Sequence, residues 1–185
     1  GLSDPGYELI QAAIERGYAV VPVPGPTASV TALVVSGLPT DAFVFLGYLP
    51  RRESRRRRLL RGVERDPYTI IAFETPHRLL ESLADIEDVL GDRPLALCRE
   101  MTKVHEEIWR GTVSEARSTF EARSPRGEFT LVIGGVAEEE QRWQEDEVRA
   151  ALDDLLAKGV RRPDAAKEVA ELSGWDRSAV YKLGL

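Results

Sequence analysis

The sequence predicts an α/β fold, a mixed sheet flanked by helices, followed by a small all-α tail of helix-turn-helix type. Three observations carry this. Compact apolar runs at 43–46, 69–73, 94–98 and 129–133 are each bounded by turn residues, as buried strands are. Segments of helical periodicity stand between them, the alternation of an α/β layer fold. The pattern then changes at Gly134-Gly135, beyond which only helical periodicity remains.

Taken in order, Asp4 can cap a helix with Pro5 at its first position, and Leu9, Ile10, Ala13 and Ile14 recur at helical spacing until Gly17. Val20, Val21 and Val23 are β-branched and apolar, so 19–23 reads as a buried strand. Pro24-Gly25-Pro26 is a stiff turn that leaves backbone bare, and Thr27 sits where the N-cap of a helix running to Ser36 belongs, with Gly37 to close it. A strand at 43–46 and a loop through Arg52 lead to a helix over 53–64, and a strand at 69–73 ends on Glu74-Thr75-Pro76-His77-Arg78. Pro76 suits the first turn of a helix whose apolar face is Leu79, Leu80, Leu83, Ile86, Val89 and Leu90. The strand at 94–98 ends on Arg99-Glu100-Met101-Thr102-Lys103; a short strand at 107–109, a helix capped by Thr112, and the strand at 129–133 complete this part. Helices over 145–158, 164–172 and 177–183 follow, with a tight turn at Ser173-Gly174-Trp175-Asp176 and small-apolar-Gly-apolar spacing from Ala166 to Val180. The domain expectation is 1–136, a linker at 137–144, and a helical domain at 145–185.

Composition limits the function. The chain has 185 residues, is 43% hydrophobic and 30% charged, and carries a net charge of −6, so a nucleic-acid surface has to be a local patch. Cys98 is the only cysteine, which rules out an internal disulfide and fits a reducing cytoplasm. No apolar run approaches a membrane span of roughly 20 residues. Two histidines without a zinc spacing give no metal pattern, and no Gly-x-Gly-x-x-Gly or Walker motif occurs.

Three groups can carry chemistry. Arg51, Arg52, Arg55, Arg56, Arg57, Arg58 and Arg61 place seven arginines in eleven positions with only Glu53 among them. A solvated helix face is the ordinary fate of such a run; on an otherwise acidic chain it concentrates potential suited to an RNA backbone. The second group is Glu74, His77 and Arg78, and the third runs from Arg99 through Glu100, Thr102 and Lys103 to His105 and Glu106. If their strands are neighbours, the two converge at one sheet end, the functional end of such a fold. They supply groups for removing a hydroxyl proton, or equally for a structural ion-pair network.

The ordered motifs Ser3-Asp4-Pro5-Gly6, Pro24-Gly25-Pro26-Thr27-Ala28, Ser36-Gly37-Leu38-Pro39-Thr40-Asp41, Gly47-Tyr48-Leu49-Pro50, Glu74-Thr75-Pro76-His77-Arg78-Leu79, Arg99-Glu100-Met101-Thr102-Lys103 and Gly127-Glu128-Phe129 closely resemble those of the bacterial 16S ribosomal RNA small-subunit methyltransferases I, in the tetrapyrrole methylase-like superfamily. The resemblance runs from Leu2 to about Gly135, and the family's small helical domain matches the tail. Tyr48 stands where Phe is common and Thr75 where Ser is usual.

The resemblance implies S-adenosyl-L-methionine-dependent 2′-O-methylation of a cytidine ribose in the decoding centre, with 16S rRNA in the small ribosomal subunit as partner. It implies an N-terminal domain that this chain lacks, with the cofactor in the cleft between the two, and a homodimer in the cytoplasm. Pro26, Thr27, Ala28, Phe73 and Glu74 are then expected to face the cofactor, and the backbone of Glu128, Phe129 and Thr130 to flank its adenine. Glu100 or Lys103 is the expected base, and Arg78 and Arg99 join the arginine run as RNA anchors. Two alternatives share the residues: a small-molecule tetrapyrrole methylase domain, and a non-catalytic RNA-binding module.

Overall fold

The computed structural model describes residues 2–3, 5–136 and 143–183, which divide into two compact units, 1–135 and 136–185. The first contains α1 (Tyr7–Glu15), α2 (Ala28–Ser36), β1 (Phe43–Tyr48), α3 (Glu53–Arg61), β2 (Thr69–Glu74), α4 (Leu79–Leu90), β3 (Pro94–Arg99), β4 (Glu107–Thr112), α5 (Val113–Arg123) and β5 (Phe129–Ile133). The sheet order is β1-β2-β5-β3-β4. β1 and β2 are parallel, whereas β5 is antiparallel to both of its neighbours, β2 and β3, and β4 is antiparallel to β3. This is the mixed sheet flanked by helices that the alternating pattern predicts.

Strand periodicity builds a core on each face. Ile70, Ala72, Leu95, Leu97, Phe129, Leu131 and Ile133 pack with Leu60, Leu79, Leu83, Ile86, Val113 and Phe120 of α3, α4 and α5. Ile71, Ala96, Cys98 and Val132 point the other way, against Ala32 and Leu33 of α2. Because both faces are covered, the central strands read as unbroken apolar runs rather than alternating ones. Cys98 is core filler, and burial pushes its thiol up to about 11.

Several boundaries differ from expectation. β1 takes in Gly47 and Tyr48, and β2 and β3 include Glu74 and Arg99 as their last residues, since each ladder continues one rung further. The short strand expected at 107–109 reaches Thr112, where a reciprocal capping box with Glu115 starts α5. α3 stops at Arg61, and Pro76 lies in a turn ahead of α4, not inside it.

The N-terminal segment departs most. The expected cap, Asp4, lies outside the described residues; α1 starts after Gly6, which holds φ 132°, and buries none of its side chains. The expected strand at 19–23 does not form: the segment is extended but unpaired, with Val21 78% and Val23 91% exposed. A strand needs a ladder partner, and the sheet ends at β1 and β4.

In the second unit, α6 (Glu145–Ala157), α7 (Arg162–Ser173) and α8 (Arg177–Lys182) enclose Val148, Leu152, Ala165, Ala166, Val169 and Val180. Gly174 ends α7 at φ 69°, and the Asp176 carboxylate caps α8. The Trp175 indole donates to the Trp143 carbonyl at 2.6 Å, closing the core over the turn. Most of the expected linker, 137–142, lies outside the described residues.

Candidate functional site

The sheet topology collects the singled-out groups at one end. β1, β2 and β3 finish there, and β4 and β5 begin there, so one rung reads Glu74, Phe129, Arg99, Glu107 across four strands. β2 and β3 are not neighbours as the sequence argument supposed; β5 stands between them, yet the convergence holds. The rung below reads Phe73, Thr130, Cys98, Ile108. Successive residues point to opposite faces, so the two rungs serve different sides of the sheet.

The upper rung faces α4 and α5. Glu74 is fully buried: its carboxylate accepts from the Thr75 amide (2.7 Å) and the Ser82 hydroxyl (2.6 Å) and pairs with Arg78 at 2.6 Å. Arg78 also donates to the Thr75 hydroxyl and to the Leu49 carbonyl. Every strong direction of the pair is used inside the protein, so Glu74 does not face a cofactor and Arg78 is not a free RNA anchor, as both were expected to be. The pair pins the loop after β1 to the end of β2. Phe129 is likewise a core side chain, edge-on to Phe120, and only its backbone can meet a ligand.

Glu100 and Lys103 form a clamp. Glu100 holds φ 48°; its amide donates to the Glu128 carbonyl (3.1 Å), and its carboxylate accepts from the Glu128 amide (2.9 Å) and from Lys103 (3.1 Å). Lys103 also donates to the Glu128 carboxylate at 3.0 Å. The Glu128 amide, then Lys103, holds the Glu100 carboxyl below its ordinary value, and hydrogen bonds to Glu128 and Glu100 raise that of Lys103. A lysine kept protonated has no lone pair to accept a proton, and a carboxylate so stabilised is a weakened base. The geometry thus corrects the expectation of a base at this pair: it ties loop 99–103 to the start of β5. Among the expected cofactor contacts, the Glu128 side chain is taken up in the same clamp.

The arginine run divides. Arg56 is buried against Asp85 of α4 (2.6 Å), with Nη1 also directed to the Pro50 and Arg51 carbonyls. Arg57 pairs with Asp85 and Asp88, both at 3.0 Å. The run is therefore not left unpaired, as local sequence suggested; its partners come from 28 to 31 residues away. Arg51, Arg52, Arg55, Arg58 and Arg61 remain exposed and have no ion pair among the described residues. Arg99 shares the Glu107 carboxylate with Arg123.

Ser82 and Asp85 were missed by the sequence argument. Both lie three residues apart on the face of α4 that carries Leu79 and Ile86, and a polar residue on an apolar helix face is the signal that could have found them.

The lower rung faces α2. The Cys98 thiol lies 4.0 Å from the Ala32 carbonyl, Arg110 donates to the carbonyls of Val35 and Ser36, and Thr69 at the start of β2 donates to the Pro39 carbonyl (2.7 Å). α2 therefore runs away from the strand tips, and its N-terminus, with the 24–26 bend, stands about 6 Å beyond Ala32 on the tip side. Thr27 caps it by accepting from the Val30 amide. Pro24 through Ala28 are exposed, and a Cβ on Gly25 would meet nothing within 4 Å. Phe73, edge-on to Phe45 and Tyr48, and Thr130 line the sheet on this side. The expected donor contacts are thus split by strand alternation: Phe73 and Thr130 share a face with Pro26, Thr27 and Ala28, whereas the Glu74 and Phe129 side chains do not.

A mixed sheet with charged loops gathered at one end, beside a bare Gly-Pro bend, is the architecture of a methylase domain, and residues 1–117 match the family described as Tetrapyrrole (Corrin/Porphyrin) Methylases. At the level of fold, the methyltransferase CobJ aligns with a TM-score of 0.53 at 18% identity, covering 71% of this chain and 57% of that one. The cobalt precorrin-4 methyltransferase CbiF aligns at 0.51, also at 18% identity, covering 69% and 56%. Curated relatives are nearer. Ribosomal RNA small subunit methyltransferase I of Synechocystis is 43% identical over 187 residues, covering 100% of this chain and 67% of that protein. Its counterpart in Halalkalibacterium halodurans is 41% identical over 186 residues, covering 98% and 64%. The chain belongs to the ribosomal RNA small subunit methyltransferase I family. It spans 58–67% of the length of the first three relatives it matches.

Proposed function

We propose that this chain supplies one wall of the donor site and the RNA-gripping surface of an S-adenosyl-L-methionine-dependent methyltransferase, which methylates a cytidine ribose 2′-hydroxyl in the decoding centre of 16S rRNA. The observation that carries this is the meeting of the open Gly-Pro bend with the strand tips at Phe73 and Thr130, on a sheet end ringed by arginines. These residues fit the donor: exposed backbone at Pro26, Thr27 and Ala28, a helix N-terminus, and aromatic edges from Phe73 and Tyr48. The donor, when bound, supplies an electrophilic sulfonium methyl group.

The protein's own contribution is positioning. Arg51, Arg52, Arg55, Arg58 and Arg61 attract and register the RNA backbone, as phosphate contacts do. The Glu100–Lys103–Glu128 clamp and the Glu74–Arg78 pair hold the loops on which the ribose rests. Holding two reactants in attack geometry is worth roughly 7–11 kcal/mol of barrier, so a strong base is not required of this site. The unburied face of α1 and the exposed valines at 20–23 support a further domain that seats on them and closes the donor site. We assign the complete enzyme to the cytoplasm and to a homodimer.

On this reading the 185 residues alone bind S-adenosylhomocysteine weakly and do not methylate small ribosomal subunits. Calorimetric titration and transfer of a labelled methyl group measure the two. Robust turnover by the chain alone overturns the divided donor site. Unchanged RNA affinity after reversing the charges at Arg51, Arg52, Arg55, Arg58 and Arg61 overturns the RNA-gripping surface.

A further inference from the structure

Beside the clamp lies a cavity of about 280 Å³ lined by Arg99, Glu100, His105, Arg126 and Gly127. Its floor is rigid by construction. Gly127 holds φ 83°, and a Cβ there would stand 2.6 Å from Glu100 Cγ, so the Glu100 side chain fills the space that the glycine leaves. The 99–103 and 127–128 backbones are joined by hydrogen bonds in both directions.

The lining is cationic in effect. Its only carboxylate, Glu100, is already committed to Lys103 and the Glu128 amide. Arg99 uses Nη1 on Glu107, while its Nε is buried with no hydrogen-bond partner. A buried donor left unpaired is uncommon and costly. Arg126 and His105 are exposed and have no ion pair or hydrogen bond among the described residues. Two guanidiniums and an imidazole around one hollow call for an acceptor-rich anion, which arginine recognises through its fork of donors. Strand alternation decides the source. Arg99 shares the rung of Phe129, which faces α4 and α5, whereas the donor bend lies on the α2 face. The carboxylate of the donor is therefore on the wrong side.

We infer that the Arg99–His105–Arg126 cavity is a subsite for one phosphodiester of the RNA strand, lying across the sheet end from the donor bend. The inference rests on the RNA-methylation reading above and deepens it. The exposed arginines of and before α3 grip the strand over a distance, and this subsite fixes its register, so that one particular ribose lies at the methyl-transfer point.

The test is a salt titration of a fluorescent single-stranded RNA oligonucleotide binding to the full chain, with Arg126→Gln and Arg126→Lys. Arg126 is exposed and unpaired, so neither change threatens folding. Arg126→Gln is expected to weaken binding about five-fold at 0.1 M salt and to lower the slope of log affinity against log salt by about 0.7, one phosphate's share for a single strand. Arg126→Lys is expected to restore the slope. If Arg126→Gln changes neither quantity while Arg55→Gln with Arg58→Gln lowers both, the subsite is refuted and the RNA-gripping surface stands. If Arg126→Gln weakens S-adenosylhomocysteine instead and spares RNA, the anion is the donor's carboxylate and the inference fails. If the unaltered chain binds no RNA at low salt, both readings fall.

Discussion

Two ion clusters flank Phe129 at the same end of the sheet, built from nearly the same parts and put to different use. Glu74 and Arg78, four residues apart, close the end of β2; Glu100 and Lys103, three apart, close the end of β3. The Glu74 side chain is 0% exposed, walled by α4 and by the loop after β1, while Lys103 is 52% exposed. The difference comes from position in the sheet. β2 lies between two strands under α4, so its exit is roofed over. β3 is followed at once by the edge strand β4, and its exit loop, 100–106, swings into solvent. Buried, a carboxylate and a guanidinium become a structural bolt; at the rim, the same pairing shapes a loop and leaves a cavity beside it.

The largest effect expected from this contrast is on stability. Glu74→Ala strands the Arg78 guanidinium and the Ser82 hydroxyl beside a void, and breaking a buried pair from one side costs about 3–5 kcal/mol. The urea midpoint should fall steeply, with the slope unchanged. Lys103→Ala should leave the midpoint close to that of the parent, because its partners can turn to water. Equal losses from the two variants would erase the distinction drawn between the clusters.

A smaller effect isolates the clamp itself. Gly127→Ala sets a methyl group 2.6 Å from Glu100 Cγ at a φ of 83°, which combines overpacking with backbone strain, at a cost of about 1–3 kcal/mol. Adding Glu100→Ala removes the steric part and should recover a portion of the loss, so the pair is non-additive. Simple additivity, read from the two urea midpoints, would mean that the Glu100 side chain does not rest on Gly127.

How far the sequence showed all this depended on whether the needed partner was local. The strands at 69–73, 94–98 and 129–133 were legible because burial on both faces writes itself as an apolar run. Thr112 and Asp176 were legible as a cap and a turn because a helix start is a short-range event. The valines at 20–23 carried the same signal as a true strand, yet no ladder partner lies within reach, and the signal could not report that absence. Arg56 looked like a solvent-facing member of a basic run because its partner, Asp85, is 29 residues away on another helix. At the site, convergence of the strand ends was legible from the alternation, but which face each residue takes was not. One position of register separates Phe73 from Glu74 and sends their side chains to opposite sides of the sheet.

The finest discrimination is by pH. The Glu100 carboxyl lies below its ordinary value of 4.5, chiefly because the charged form accepts from the Glu128 amide. A depressed carboxyl contributes stability that is present above the unfolded value and lost as pH falls through the folded one. Lys103 is the mirror case: raised above 10.5, its contribution is present below that value and lost as pH rises through the folded one. Between about pH 5 and 10 the clamp should be indifferent to pH. The advantage of the parent chain over Glu100→Gln should therefore be constant through neutrality and shrink once the medium drops below 4.5. Protection of the Glu128 amide against hydrogen exchange reads this locally, since that amide is the donor whose acceptor is being neutralised. An amide that kept its full protection through the acid titration would show that the start of β5 is held by the ladder alone, with Glu100 a bystander.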